Sequence, residues 1–190
     1  MRVFIAIELP QAIKDSLNST QEKLKTSGAD VKWVQPQNIH LTLKFLGEIS
    51  EEQLAKIKTT LDNTAKDKKK FSIRISSLGA FPKINSPRVI WVGIDMGNRE
   101  IQELAKALEE RIEKIGIPKE DRSFSSHITI GRIRSNQARD KLVATLKSLE
   151  NHFKETPQEL VVQRISLFKS TLTPQGPIYE VLKEVNLTTA

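Results

Sequence analysis

The chain has 190 residues, enough for one compact domain with a sizeable core or for two small lobes sharing one, and too few for a multidomain machine. An apolar fraction of 38% and a charged fraction of 28% are those of a folding globular chain, and the absence of cysteine excludes disulfides, a thiol nucleophile and thiolate metal sites. Thirty Lys plus Arg against 23 Asp plus Glu leave a net charge of +7, which favours anionic partners such as RNA.

In chain order, Arg2-Val3-Phe4-Ile5-Ala6-Ile7 is rich in β-branched and aromatic residues and ends at Leu9-Pro10. It predicts a buried strand followed by a helix with proline in its first turn, whose apolar stripe is Ile13, Leu17 and Leu24. From His40 to Leu46 the pattern alternates with period two, which places Leu41, Leu43 and Phe45 on one face of a strand and His40, Thr42 and Lys44 on the other. Ser50-Glu51-Glu52-Gln53 has the form of a capping box, and Leu54, Ile57 and Leu61 continue it as a helix. A strand from Phe71 to Leu78 follows.

The pattern then begins again. Arg88 to Ile94 is a second apolar strand opening on Arg-Val, and a helix from about Asn98 to Ile115 follows, with Ile101, Leu104, Leu108, Ile112 and Ile115 as its stripe and Gly116 and Pro118 at its end. The remaining predicted elements are a strand His127 to Ile133, a helix near Gln137 to Leu149, and strands at about Leu160 to Phe168 and Ile178 to Val185. The Arg-Val strands are offset by 88 − 2 = 86 residues and the two strand histidines by 127 − 40 = 87. These offsets predict a duplicated strand-helix-strand-helix-strand unit. If the halves pack about a pseudo-two-fold axis, His40 and His127 face one cleft.

Only three histidines occur, and two of them, in His40-Leu41-Thr42 and His127-Ile128-Thr129, carry threonine two places on. With 13 threonines in 190 residues any one histidine has about a 7% chance of this, so two of three by accident is on the order of 1%. Positions i and i+2 share a strand face, so each imidazole has a hydroxyl beside it. Hydrolysis of a phosphodiester needs a base for water and an acid for the departing oxygen, and histidine titrates in the range for both. The hydroxyls suit the nonbridging phosphate oxygens. No Asp, Glu or Cys stands near the histidines in ligand spacing, which leaves a metal site as a weak competitor, and there is neither a glycine-rich phosphate loop nor a Gly-x-Ser-x-Gly elbow.

These blocks, together with Lys44-Phe45-Leu46-Gly47-Glu48, Gly79-Ala80-Phe81-Pro82, Phe124-Ser125-Ser126, Ile130-Gly131-Arg132, Leu167-Phe168-Lys169-Ser170, Gly176 and Tyr179, resemble the two-histidine phosphoesterases, and within them the RNA 2',3'-cyclic phosphodiesterases historically called 2'-5' RNA ligases. The resemblance spans essentially the whole chain. It implies one bilobal α+β phosphoesterase domain over residues 1–190, with two antiparallel sheets facing a central cleft and helices outside. It also implies hydrolysis of a terminal cyclic phosphate to a 2'-phosphomonoester with no metal and no cofactor, with reversible 2'-5' ligation as a related reaction. By the same resemblance His40 is the proton donor and His127 the base, an assignment that the residues alone leave open.

Three further residues are candidates for substrate contact. Arg132 suits phosphate oxygens, yet counting from His127 puts it on the opposite strand face unless Gly131 allows a bulge. Phe81, in a connection beside Pro82, is placed to stack a nucleobase or to close a core. Lys44, on the face of His40 and Thr42, raises the positive potential of the cleft or stands at its rim. The expected partner is RNA ending in 2',3'-cyclic phosphate, tRNA fragments among the candidates, bound by a cytoplasmic monomer. No apolar run nears the roughly 20 residues of a membrane span, and the start lacks the form of a signal peptide. A non-catalytic RNA-binding module is the alternative from another functional class.

Overall fold

The computed structural model describes residues 1–189. The first half runs β1 (Arg2–Glu8), α1 (Gln11–Lys25), β2 (Val31–Trp33), a 3-10 turn (Pro36–Asn38), β3 (His40–Glu48), α2 (Glu51–Lys66) and β4 (Phe71–Lys83). The second runs β5 (Ser86–Ile94), α3 (Asn98–Glu113), β6 (His127–Ile133), α4 (Arg139–Glu155), β7 (Gln158–Val162), β8 (Arg164–Thr173) and β9 (Gly176–Asn186).

Local chemistry accounts for the helix ends. At α2 the Gln53 amide donates to Ser50 Oγ at 3.2 Å and the Ser50 amide donates to Gln53 Oε1 at 3.0 Å, the reciprocal capping box. Beyond α3, Gly116 takes the left-handed conformation (φ +88°) that turns the chain away. Each helix buries one stripe, Ile101, Leu104, Leu108 and Ile112 in α3 being fully enclosed.

The strands form two antiparallel sheets ordered β3-β1-β8-β9 and β2-β6-β5-β4-β7. The predicted duplication is present, but its halves interleave. The units β1-α1-β3-α2-β4 and β5-α3-β6-α4-β8 each give their last strand to the other's sheet, β4 pairing with β5 and β8 with β1. Both sheets therefore read alike from the histidine strand inward, as β3-β1-β8 and β6-β5-β4. The helices exchange too, α1 packing beside α4 and on β6, and α2 beside α3, with α3 on β3. One cluster of buried side chains draws on both sheets and all four helices.

Three expectations are corrected. The segment Leu160 to Phe168 is two strands parted at Gln163, one in each sheet, because an apolar run does not say which sheet it joins. β2, absent from the expected elements, has only three residues, too short a run for its alternation to stand out, and forms by pairing along the edge of β6. β4 continues to Lys83, held by its hairpin with β5, so Phe81 lies in a strand rather than a connection.

Candidate active site

The two histidine strands carry the same irregularity at the same place. Between β1 and β3, Ala6 pairs with Thr42 and Ile5 with Lys44, leaving Leu43 as the extra residue of a bulge. Between β5 and β6, Trp91 pairs with Thr129 and Ile90 with Gly131, leaving Ile130 extra. The bulges are 130 − 43 = 87 residues apart, the histidine spacing. A bulge resets the alternation by one, so each strand presents His, Thr and the residue three beyond Thr on one face. In β3 that set is His40, Thr42 and Phe45, and in β6 it is His127, Thr129 and Arg132.

This geometry decides two of the candidates. Arg132 joins the face of His127, and its charge is close enough to depress the His127 pKa. Lys44 is turned the other way. Its side chain is completely buried, with Nζ 2.8 Å from Glu109 Oε2 on α3, and it contributes nothing to the cleft surface. The simple alternation put Lys44 in the cleft and Phe45 in the core, and the bulge at Leu43 exchanges them, leaving Phe45 54% exposed.

Each imidazole is oriented in the same way. Nδ1–H of His40 donates to the Asn38 carbonyl at 2.6 Å and Nδ1–H of His127 to the Ser125 carbonyl at 2.8 Å. A carbonyl only accepts, so the proton sits on Nδ1 and Nε2 is left for chemistry. Behind His40 the Phe4 ring stacks at 4.8 Å and Tyr179 closes edge-on at 5.4 Å, while Phe81 stands edge-on to His127 at 5.0 Å. Burial drives the His40 pKa down from 6.5 to about 4, reinforced by Lys14 and opposed by the Asn38 hydrogen bond and by Glu8. Burial lowers that of His127 too, with Arg132 adding and the Ser125 bond opposing.

Phe4 and Tyr179 carried no role in the sequence. Phe4, Ala6 and Phe168, with Tyr179 against them, form a small apolar cluster separate from the main core, on the sheet face that bears His40. Tyr179 sits between the lobes, beside His40 and within electrostatic reach of both Arg132 and Arg2, which oppose the upward push of burial on its hydroxyl. On the other sheet Thr129, Trp91 and Gly79 make one row, and a Cβ on Gly79 would lie 2.5 Å from the Trp91 ring. Among the described residues, no three His, Cys, Asp or Glu side chains are placed to share a metal ion. Between them the two histidine faces offer two bases with free Nε2 atoms, two hydroxyls and a guanidinium, a set suited to an anionic tetrahedral group.

The family model of LigT-like phosphoesterases matches the chain twice, over residues 7–91 and again over 92–179. The chain belongs to the LigT-like phosphoesterase family. Its two matches to that family coincide with the two histidine-bearing halves. Among LigT-like relatives, an RNA 2',3'-cyclic phosphodiesterase of Methanocaldococcus jannaschii is 40% identical over 185 residues, covering 97% of this chain and 99% of that one. Another of that description from Aquifex aeolicus is 38% identical over 178 residues, 90% and 92% of the two chains. The crystal structure of TT0787 of Thermus thermophilus superposes with a TM-score of 0.81 at 28% identity, covering 100% of this chain and 99% of that chain. Escherichia coli LigT complexed with 3'-AMP gives 0.78 at 26% identity, covering 99% and 98%. No helix of the described residues is long and apolar enough to cross a membrane.

Proposed function

We propose that this protein hydrolyses the 2',3'-cyclic phosphate at an RNA end to a 2'-phosphomonoester by acid/base catalysis between His40 and His127. The observation that carries the reading is the matched pair of faces, each offering an Nε2 and a threonine hydroxyl, in a chain whose relatives bear the name of that activity. Nε2 of His127 takes a proton from water as the water oxygen bonds to phosphorus. The P–O3' bond breaks, and Nε2–H of His40 gives its proton to O3', so that the 3'-hydroxyl is released and phosphate stays on O2'. Thr42 and Thr129 donate to the nonbridging oxygens, and Arg132 balances charge gathering on the phosphoryl group. Phe45, the exposed aromatic on the His40 face, stacks the terminal base.

Burial keeps both imidazoles neutral in the empty cleft at neutral pH. A bound phosphate anion favours the protonated form of the acid, so substrate itself charges His40. The test is ring opening of a short RNA ending in 2',3'-cyclic phosphate with EDTA present, for the wild type, His40→Ala and His127→Ala. Both variants lose about 10²- to 10⁴-fold. Undiminished turnover in either variant, or RNA binding without ring opening in the wild type, defeats the proposal; the second result favours a binding module.

A further inference from the structure

The fully buried ammonium of Lys44 is unused by the chemistry above, and its surroundings join the two histidine strands. β3 is the edge strand of its sheet, and the segment 118–126 that leads into β6 is fastened to it. Lys44 Nζ, 2.8 Å from Glu109 Oε2, also donates to the Pro118 carbonyl at 3.3 Å. Glu109 Oε1 accepts from the Glu120 amide at 2.6 Å, and Glu120 Oε1 accepts from the Phe45 amide at 3.1 Å. Farther along, Ser126 Oγ donates to Asn98 Oδ1 at 2.6 Å, and the Ser125 carbonyl holds His127. Helix α3 thus grips this segment from Glu109 near one end and Asn98 at the other, with Lys44 and Phe45 pinning it to the His40 strand.

We propose that Lys44 and Glu109 are positioning residues, which lock the lead-in segment of His127 onto the His40 strand and so set the two imidazoles at working separation and orientation. The inference rests on the two-histidine reading above for its kinetic part. A buried ion pair is poor stabilisation compared with apolar side chains of like volume, because the charges give up hydration; what it supplies is directional contacts that admit one arrangement. The clamp is one-sided. The residue equivalent to Lys44 in the other half, 44 + 87, is Gly131, and Asn38, which orients His40, is secured separately by its side-chain amide donating to the Pro177 carbonyl at 2.8 Å.

The test uses the whole protein with Lys44→Met combined with Glu109→Leu, which keeps the site filled and free of unpaired charge, and separately with Glu120→Ala, an exposed position that leaves the core intact. Two readouts are taken: solvent exchange of the two imidazole Nδ1–H protons by NMR, and kinetics on 2',3'-cyclic AMP. The His127 proton exchanges about tenfold faster in the double variant and shifts the same way, by less, in Glu120→Ala, while the His40 proton is unchanged and serves as internal control. The kcat falls about 10- to 100-fold with KM little altered, and the loss disappears when the double variant is made in a His127→Ala background. A fall of equal size in that background would mean general destabilisation and would overturn the proposal. So would unchanged His127 exchange in a folded variant. If the double variant does not fold, Glu120→Ala decides by the same two signs. If the wild type does not open the ring, the two-histidine reading fails, while the exchange measurement still decides whether the clamp holds His127.

Discussion

His40 is held neutral by its surroundings, and that makes a measurable acid sensitivity. In the unfolded chain it titrates at its ordinary 6.5, and in the fold at about 4. Between these values the unfolded chain binds a proton that the native state does not, so stability is full above 6.5 and is lost as pH falls toward 4. The interval, at about 1.4 kcal/mol per pH unit, amounts to about 3 kcal/mol. Its structural source is the Phe4 ring stacked at 4.8 Å and the Tyr179 edge at 5.4 Å, which take water from the imidazole. Urea unfolding at a series of pH values from about 7 to 4, for wild type and His40→Gln, isolates this contribution because every other titrating group is common to both. The wild type should lose about 3 kcal/mol more than the variant across that range. Parallel curves would show that the folded and unfolded imidazoles titrate alike, and the burial argument would fall.

Two further outcomes follow from the cleft face. Phe45→Ala, at a site already 54% exposed, leaves the melting temperature nearly unchanged but weakens binding of 2',3'-cyclic AMP about tenfold, in line with the loss of one base stack, and does not weaken binding of ribose 2,3-cyclic phosphate, which has no base. Gly79→Ala drives a methyl into Trp91 at 2.5 Å; it destabilises by about 1–3 kcal/mol and changes the near-ultraviolet circular dichroism of the indole, whereas a well-tolerated variant with an unchanged spectrum would refute the close approach.

What the sequence made legible was periodic or repeated. His40 and His127, each with its threonine, the 87-residue offset and the stripes of the first three helices all rest on side-chain spacing, which local geometry converts directly into shared faces. The bulges were illegible in one half and only hinted at in the other. Gly131 marks the second, but nothing in Leu43-Lys44-Phe45 marks the first, because that bulge is set by pairing with β1. One unmarked residue therefore reversed Lys44 and Phe45 together, trading a cleft cation for a cleft aromatic. Phe4 and Tyr179 were hidden differently. Their role comes from sheet neighbours distant in sequence, and in isolation each is an ordinary strand aromatic. The exchange of β4 and β8 is likewise a property of the whole topology.

That exchange bears on how substrate enters. The chain passes from one sheet to the other between β1 and β2, β2 and β3, β3 and β4, and again between β7 and β8, where Gln163 alone makes the step. Enzymes that swallow their substrates tend to have two bodies and a hinge of a few residues. Here the bodies are laced together at four places, and opening them like a jaw would strip the shared core. The cleft is built as a fixed notch rather than as a jaw.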